Sequence, residues 1–382
     1  MIVGIEFYTL LATGAVIYWL IPKQIIRNYF LSAASIAFIS YFDKYSAIIA
    51  VILILYSYMF AVLIEKNKGK RIFHRLGITG LVILLVIFKY LGFLNEVLSS
   101  LDNFISSLPV FKIEFVLLPL GISYIIFKHI SYLTDVYWGI NNKGRFADFL
   151  LYSSLFTIYI AGPIERFSRF KIESGRENKF SGVFIEESFK RIVFGLFKKF
   201  VVADWLGFFI APVWENPGNY PAGIKILALF GYSIQIYLDF SAYSDIAIGA
   251  SRLYGFKIME NFDYPYLKSN IAQFWRSWHI SLSDWIRDYL FFPLSPVFKN
   301  KTWQIFFVPL IAMGLCGLWH GPAMHFVYWG LCHGFAIFIY QVWVIIKRKN
   351  PALNQMSGTK WFNAAGTLFT FVYVSFCWIF FR

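Results

Sequence analysis

The sequence predicts an all-α polytopic membrane protein, and three observations carry that prediction. Of its 382 residues, 58% are hydrophobic and only 15% charged, with a mean hydropathy of +0.60; soluble chains carry roughly a quarter charged residues. The apolar residues gather in stretches of helix length, so the surplus is read as lipid-facing and not as an oversized core. Aromatic residues reach 21%, with 44 Phe, 24 Tyr and 13 Trp, a share that serves membrane interfaces and the walls of apolar tunnels. The same numbers exclude a disordered chain and a secreted disulfide scaffold.

The candidate helices follow in order: 4–21, 29–42, 45–64, 76–97, 115–137, 148–162, 188–212, 222–250, 303–319, 323–346 and 362–381. That makes about 11 transmembrane or re-entrant helices. The first is read as a membrane helix and not as a removed signal peptide. Glu6 comes early, no basic region precedes the apolar run, and no small-residue cleavage site follows it. Asp135, Asp239 and Asp245 sit in or near apolar stretches, so not every segment need cross fully. The three cysteines, Cys316, Cys332 and Cys377, form no C-x-x-C pair and read as buried small hydrophobes.

Basic loops orient the chain. Lys66, Lys68, Lys70, Arg71 and Arg75 form the densest early cluster, which is placed in the cytoplasm. Counting back puts the N-terminus outside; counting forward puts 98–114 outside and Lys143 and Arg145 inside. Lys347, Arg348 and Lys349 should also be inside, which requires re-entrant or interfacial pieces within 148–320. The excess of 35 Lys and Arg over 21 Asp and Glu thus reads first as topology. Nucleic-acid binding is disfavoured, because the charges are scattered and no nucleic-acid fold signature accompanies them. Residues 163–200 are rich in Arg and Lys, and read either as a cytoplasmic surface loop or as a dock for an anionic cytosolic donor. With no internal repeat, and Asn350–Thr359 the one linker-like piece, residues 1–382 read as a single membrane domain.

Three polar blocks interrupt the apolar part. In GYSIQIYLDFSAYSDIAIGASR, helical spacing places Gln235, Asp239 and Tyr243 on one stripe and Ser241, Asp245 and Arg252 on another. Carboxylates there are costly unless paired or facing a cavity. One reading is structural, with Asp245 bonded to Arg252 and Asp239 to hydroxyls; the other places one of them on a substrate path. The second block, QFWRSWHISLSDWIRDYLFF, mixes Trp275, Trp278 and Trp285 with Arg276, Asp284, Arg287 and Asp288. As a helix it spaces His279, Ser283 and Arg287 by four, and suits a cavity wall or an interface; taken alone, His279 reads as a satisfied interior histidine. In the third, LCGLWHGPAMHFVYWGLCHG, Pro322 breaks the helix just after Trp319 and His320. A histidine at such a break is open to substrate. His325, Trp329 and His333 follow on one stripe, but with no carboxylate partner or H-E-x-x-H pattern, no metal site is assigned. No nucleophile elbow or phosphate-binding loop is present. Histidine general-base chemistry within the membrane is the strongest reading left, at His320 first and His279 second.

The blocks QFWRSWHISLSDWIRDYLFFPL and GLWHGPAMHFVYWGLCHG, with LPLGISYIIFKHISYLTDVYWG, IAGPIERF and the D-F-S-x-Y-S-D and N-F-x-x-P-Y wordings, resemble the membrane-bound O-acyltransferase (MBOAT) family. The resemblance covers roughly Leu118 to His333. It is nearer the alginate O-acetyltransferase branch than the teichoic-acid D-alanyl transferase branch. It implies helices forming a ring around a central tunnel and a cytosolic thioester donor, acetyl-coenzyme A or another acyl thioester, with no bound cofactor. It implies His320 as the catalytic base and His279 as a second functional residue that positions or polarises the acyl group. Trp275, Arg276, Trp278, Ser283, Asp288, Trp319, Asp239 and Asp245 are then tunnel or substrate-lining candidates. The acceptor would be an exported polysaccharide, reached from the bacterial inner membrane, often through an extracytoplasmic partner of the SGNH hydrolase type. D-alanyl transfer and, further off, transport are the alternatives. Alginate-type members usually continue beyond a W-x-F-F-R like the one at Trp378–Arg382, so a shorter branch or a truncated chain is expected.

Overall fold

The computed structural model describes residues 4–102 and 118–382, without the side chains at 92 and 94–102. The 98–114 loop and the start of the 115–137 span fall mostly outside the described residues. Helices dominate; among the described residues no strand forms, and β pairing is limited to one bridge, Phe262 with Trp278.

The chain divides into two compact units, Met1–Val193 with Asp245–Met259, and Phe194–Ser244 with Glu260–Arg382. The first unit contains α1 (Ile5–Leu20), α2 (Gln24–Phe42), α3 (Lys44–Lys66), α4 (Lys70–Asp102), α5 (Ile122–Trp138), α6 (Phe146–Ser154), α7 (Phe167–Gly175) and most of α8 (Gly182–Leu196). Local signals set their ends. The Asp43 carboxylate accepts the Tyr45 and Ser46 N–H groups at the start of α3, and Gly139 closes α5 in the left-handed region at φ 77°. The span expected at 148–162 is corrected: α6 stops at Ser154 and the chain turns instead. Pro163 disfavours helix at Gly162, and the Thr157 hydroxyl is hydrogen-bonded to that of Ser251 at 2.6 Å.

The second unit holds α9 (Asp204–Glu215), most of α10 (Ala222–Leu253), α11 (Ile271–Trp275), α12 (Ile280–Ile286), α13 (Phe292–Leu294), α14 (Lys301–His320), α15 (Met324–Lys349), α16 (Pro351–Ser357) and α17 (Lys360–Cys377). The single helix read across 273–292 is also corrected: the chain leaves helix after Trp275, re-enters at Ile280 and passes through a π turn at Arg287–Phe291. Among the described helices, α2, α3, α4, α10, α14, α15 and α17 are long and apolar enough to cross a membrane.

The α14–α15 hairpin carries the W-H-G motif. Its helices approach so closely that a Cβ on Gly317 would lie 2.0 Å from the Phe326 carbonyl oxygen, and one on Gly330 2.1 Å from that of Met313. Glycine at these two positions lets backbone pack on backbone, as small residues do between membrane helices.

Candidate active site

His320 is the last residue of α14, and Gly321–Ala323 link it to α15. The break falls where Pro322 places it. The partly exposed imidazole packs against three rings: Trp319 at 4.8 Å, Phe381 at 5.0 Å and Trp329 at 5.1 Å between centroids.

His279 reaches the same cluster by another route. Its ring lies 6.1 Å from Trp319 and meets Phe240 edge-on at 4.6 Å. It is 1% exposed, and its Nε2 has no hydrogen-bond partner among the described residues. Its backbone is left-handed, φ 43° and ψ 55°, at the N-cap of α12. Such a conformation costs a non-glycine residue on the order of 1–3 kcal/mol and persists only where the surroundings impose it. Here a short clasp imposes it. Ile280 N–H donates to the Asn261 carbonyl at 2.9 Å, Ser281 N–H to Asn261 Oδ1 at 3.3 Å, and Asp263 N–H to the Ser277 carbonyl at 3.0 Å. Asn261 Nδ2 in turn donates to Ser244 Oγ at 3.2 Å.

The structure gathers Trp319, Trp275 and Trp278 with the two histidines in the second unit. Trp275 and Trp278 are buried, and both are in ring contact with Phe274. Ser283 Oγ donates to the Trp278 carbonyl at 3.0 Å. Trp275, Arg276 and Ser283 line a cavity of about 320 Å³ whose wall also includes Asp284 and Arg287. Asp288 is held by Arg287 Nε at 2.9 Å.

The two α10 carboxylates have other partners than those expected. Asp239 accepts from Lys199 Nζ at 2.7 Å, in place of the hydroxyls expected. Asp245, in the first unit, is bonded to Arg191 at 2.6 Å, while Arg252 pairs with Glu187. The expected Asp245–Arg252 pair is therefore corrected. Sequence spacing along one helix cannot see α8, which supplies both real partners.

Part of the basic stretch 163–200 is paired with acidic residues of the same stretch. Arg169 lies 3.7 Å from Glu165, Arg176 3.4 Å from Glu173 and Lys190 2.5 Å from Glu186. Glu165 is 1% exposed and accepts the Met259 N–H at 2.9 Å. Burial pushes its carboxyl pKa above the ordinary value, and the Arg169 charge opposes that rise.

Several cluster residues escaped sequence reasoning. Asn261, the anchor of the clasp, stood in plain view within N-F-x-x-P-Y. Trp378 and Phe381 belong to the W-x-F-F-R ending, which packs on the site: Phe381 on His320, and Trp378 on Trp278 at 5.0 Å. Trp329 and His333 share the predicted α15 stripe and are buried, whereas His325 is exposed, its Nδ1 2.7 Å from the Phe380 carbonyl. Among the described residues no group of three or more His, Cys, Asp or Glu side chains is placed to hold a metal ion.

A broken-helix histidine and a strained histidine on one tryptophan fit a membrane site for proton transfer. The chain belongs to the membrane-bound O-acyltransferase family, whose profile matches residues 140–381. Among known proteins it is similar to the probable alginate O-acetylase of Azotobacter vinelandii, 36% identical over 313 residues, covering 79% of this chain and 59% of that protein. It is also similar to the peptidoglycan O-acetyltransferase of Helicobacter pylori, 30% identical over 366 residues and covering 86% and 66%, respectively. The teichoic acid D-alanyltransferase of Streptococcus thermophilus is 30% identical over 272 residues, covering 66% and 65%. The chain thus spans under two thirds of the length of the alginate relatives it matches.

Proposed function

We propose that this protein is an O-acyltransferase that moves an acetyl group from a cytosolic thioester, acetyl-coenzyme A, to an extracytoplasmic polysaccharide or to a partner protein of the SGNH hydrolase type. The observation that carries the reading is the packing of both motif histidines on Trp319. In this reading His320, at the partly exposed helix end, takes the proton of the acceptor hydroxyl, and His279 positions the acyl group. General-base catalysis of this kind contributes about 10²–10⁴-fold. The polar residues of 273–292 are costly against lipid, which supports a ring of about eleven crossing or re-entrant helices around a tunnel open to both faces. The alginate and peptidoglycan relatives support acetyl as the group moved. D-alanyl transfer is the second reading, favoured by the likeness to the Streptococcus thermophilus enzyme.

The test is the O-acetyl content of the cell envelope in a deletion strain carrying His320→Ala. Acetylation should fall to the level of the deletion while the variant still inserts in the membrane. Wild-type acetylation would remove His320 from the mechanism. The proposed setting is the bacterial inner membrane with the N-terminus outside, because the cluster from Lys66 to Arg75 belongs in the cytoplasm. Accordingly, a cysteine at Asn67 should resist membrane-impermeant reagent on intact spheroplasts; ready labelling would reverse the topology.

A further inference from the structure

Next to His320 lies a box of rings to which the proposed reaction assigns no role. His333 is 0% exposed, and neither of its ring nitrogens has a hydrogen-bond partner among the described residues. Its ring is 4.9 Å from Trp329 and 5.0 Å from Trp275. The indole N–H groups of both tryptophans are likewise buried and without a hydrogen-bond partner among the described residues. Trp378, also in ring contact with Trp329, instead donates its N–H to the Tyr266 hydroxyl at 3.1 Å.

Four such atoms on three touching rings run against the strong rule that buried polar atoms are paired. Each costs about 1–3 kcal/mol unless something binds it. A neutral imidazole keeps one N–H and one lone pair, so the box offers three donors and one acceptor. Its walls are aromatic. Two neighbours connect it to the chemistry. The Trp329 ring is 5.1 Å from His320, and Trp275 also lines the cavity of about 320 Å³.

We propose that Trp275, Trp329 and His333 form the subsite that holds the carbonyl oxygen of the transferred acyl group. The inference rests on the acyltransferase reading above. In the reaction, the acceptor hydroxyl oxygen bonds to the thioester carbonyl carbon and its proton passes to His320. The carbonyl π pair moves onto oxygen, where the N–H donors stabilise it. When that pair returns, the C–S bond breaks, and the departing thiolate takes the proton from the His320 imidazolium. Donors aimed at the oxygen where charge develops are worth most in such a water-poor site.

The test uses the purified full chain in detergent with acetyl-coenzyme A as probe and water as acceptor, read as released thiol. Trp275→Phe and Trp329→Phe keep a ring and delete the N–H. Each should lower kcat on the order of 10²-fold, with KM changed by less than about threefold. His333→Gln, which retains an amide N–H, should lose less than His333→Leu. Trp303→Phe, at an exposed position of α14, should match the wild type, and thermal melting shows which variants fold. If the folded Trp275, Trp329 and His333 variants keep the kcat of Trp303→Phe, the box holds no more than a structural water and the subsite is overturned while the acyltransferase reading stands. If the wild type releases no thiol from acetyl-coenzyme A, the donor reading fails and the subsite falls with it.

Discussion

His320 and His279 pack on the same tryptophan but are delivered by opposite kinds of backbone. His320 ends a regular 20-residue helix, held against its neighbour by glycines at Gly317 and Gly330. His279 sits between two short helices in a left-handed conformation, fixed by hydrogen bonds from a segment some twenty residues away. One site is positioned by close packing of two helices, the other by a strained clasp. Close packing tolerates no added volume, whereas a clasp fails when one anchor is lost. The two halves should therefore break under different substitutions.

The largest effect is expected in the hairpin. Gly317→Val would drive a side chain into the Phe326 carbonyl, and the misfit should cost roughly 3 kcal/mol or more. A melting temperature in detergent close to wild type would show that α14 and α15 separate without penalty. Next comes His279→Ala, which should lower acyl transfer by about 10²-fold with little change in folding. Retained activity would make His279 a packing residue. His279→Gly should be as inactive as the alanine variant yet more stable, by about 1–2 kcal/mol, because glycine adopts the left-handed region without strain. Equal melting of the two variants would mean that the conformation at 279 carries no strain. The smallest effect is expected from Asn261→Ala. It removes the side-chain partners of the Ser281 N–H and Ser244 Oγ, should cost about 1–2 kcal/mol, and should lower activity through the position of His279. Unchanged stability and activity would dismiss the clasp.

The same contrast explains what could be read from the sequence. The apolar runs that became α2, α3, α10, α14 and α15 were legible because a membrane helix is specified locally, by length and hydropathy. The break at His320 was legible because proline acts on its own neighbours. The break at His279 carries no such signal. No proline or glycine stands in Arg276–His279, and the left-handed turn is imposed by Asn261 from outside the segment. Ion pairing was hidden for the same reason: Asp245 and Arg252 share a stripe on α10, yet each is bonded to a residue of α8. The partners of His320 were half visible. Trp329 could be placed by helical spacing, whereas Phe381, 61 residues further along the chain, meets His320 only through tertiary folding.

The central claim is that both histidines serve one reaction centre around Trp319, and a double-mutant cycle tests it most directly. Acyl transfer would be measured for His279→Ala, His320→Ala and the double variant, each corrected for folded protein in the membrane. Residues acting as a unit in one step are strongly non-additive. The double variant should be no slower than His320→Ala alone. Losses that multiply, with the double variant slower by the product of the two single effects, would place the histidines in independent steps and contradict the claim.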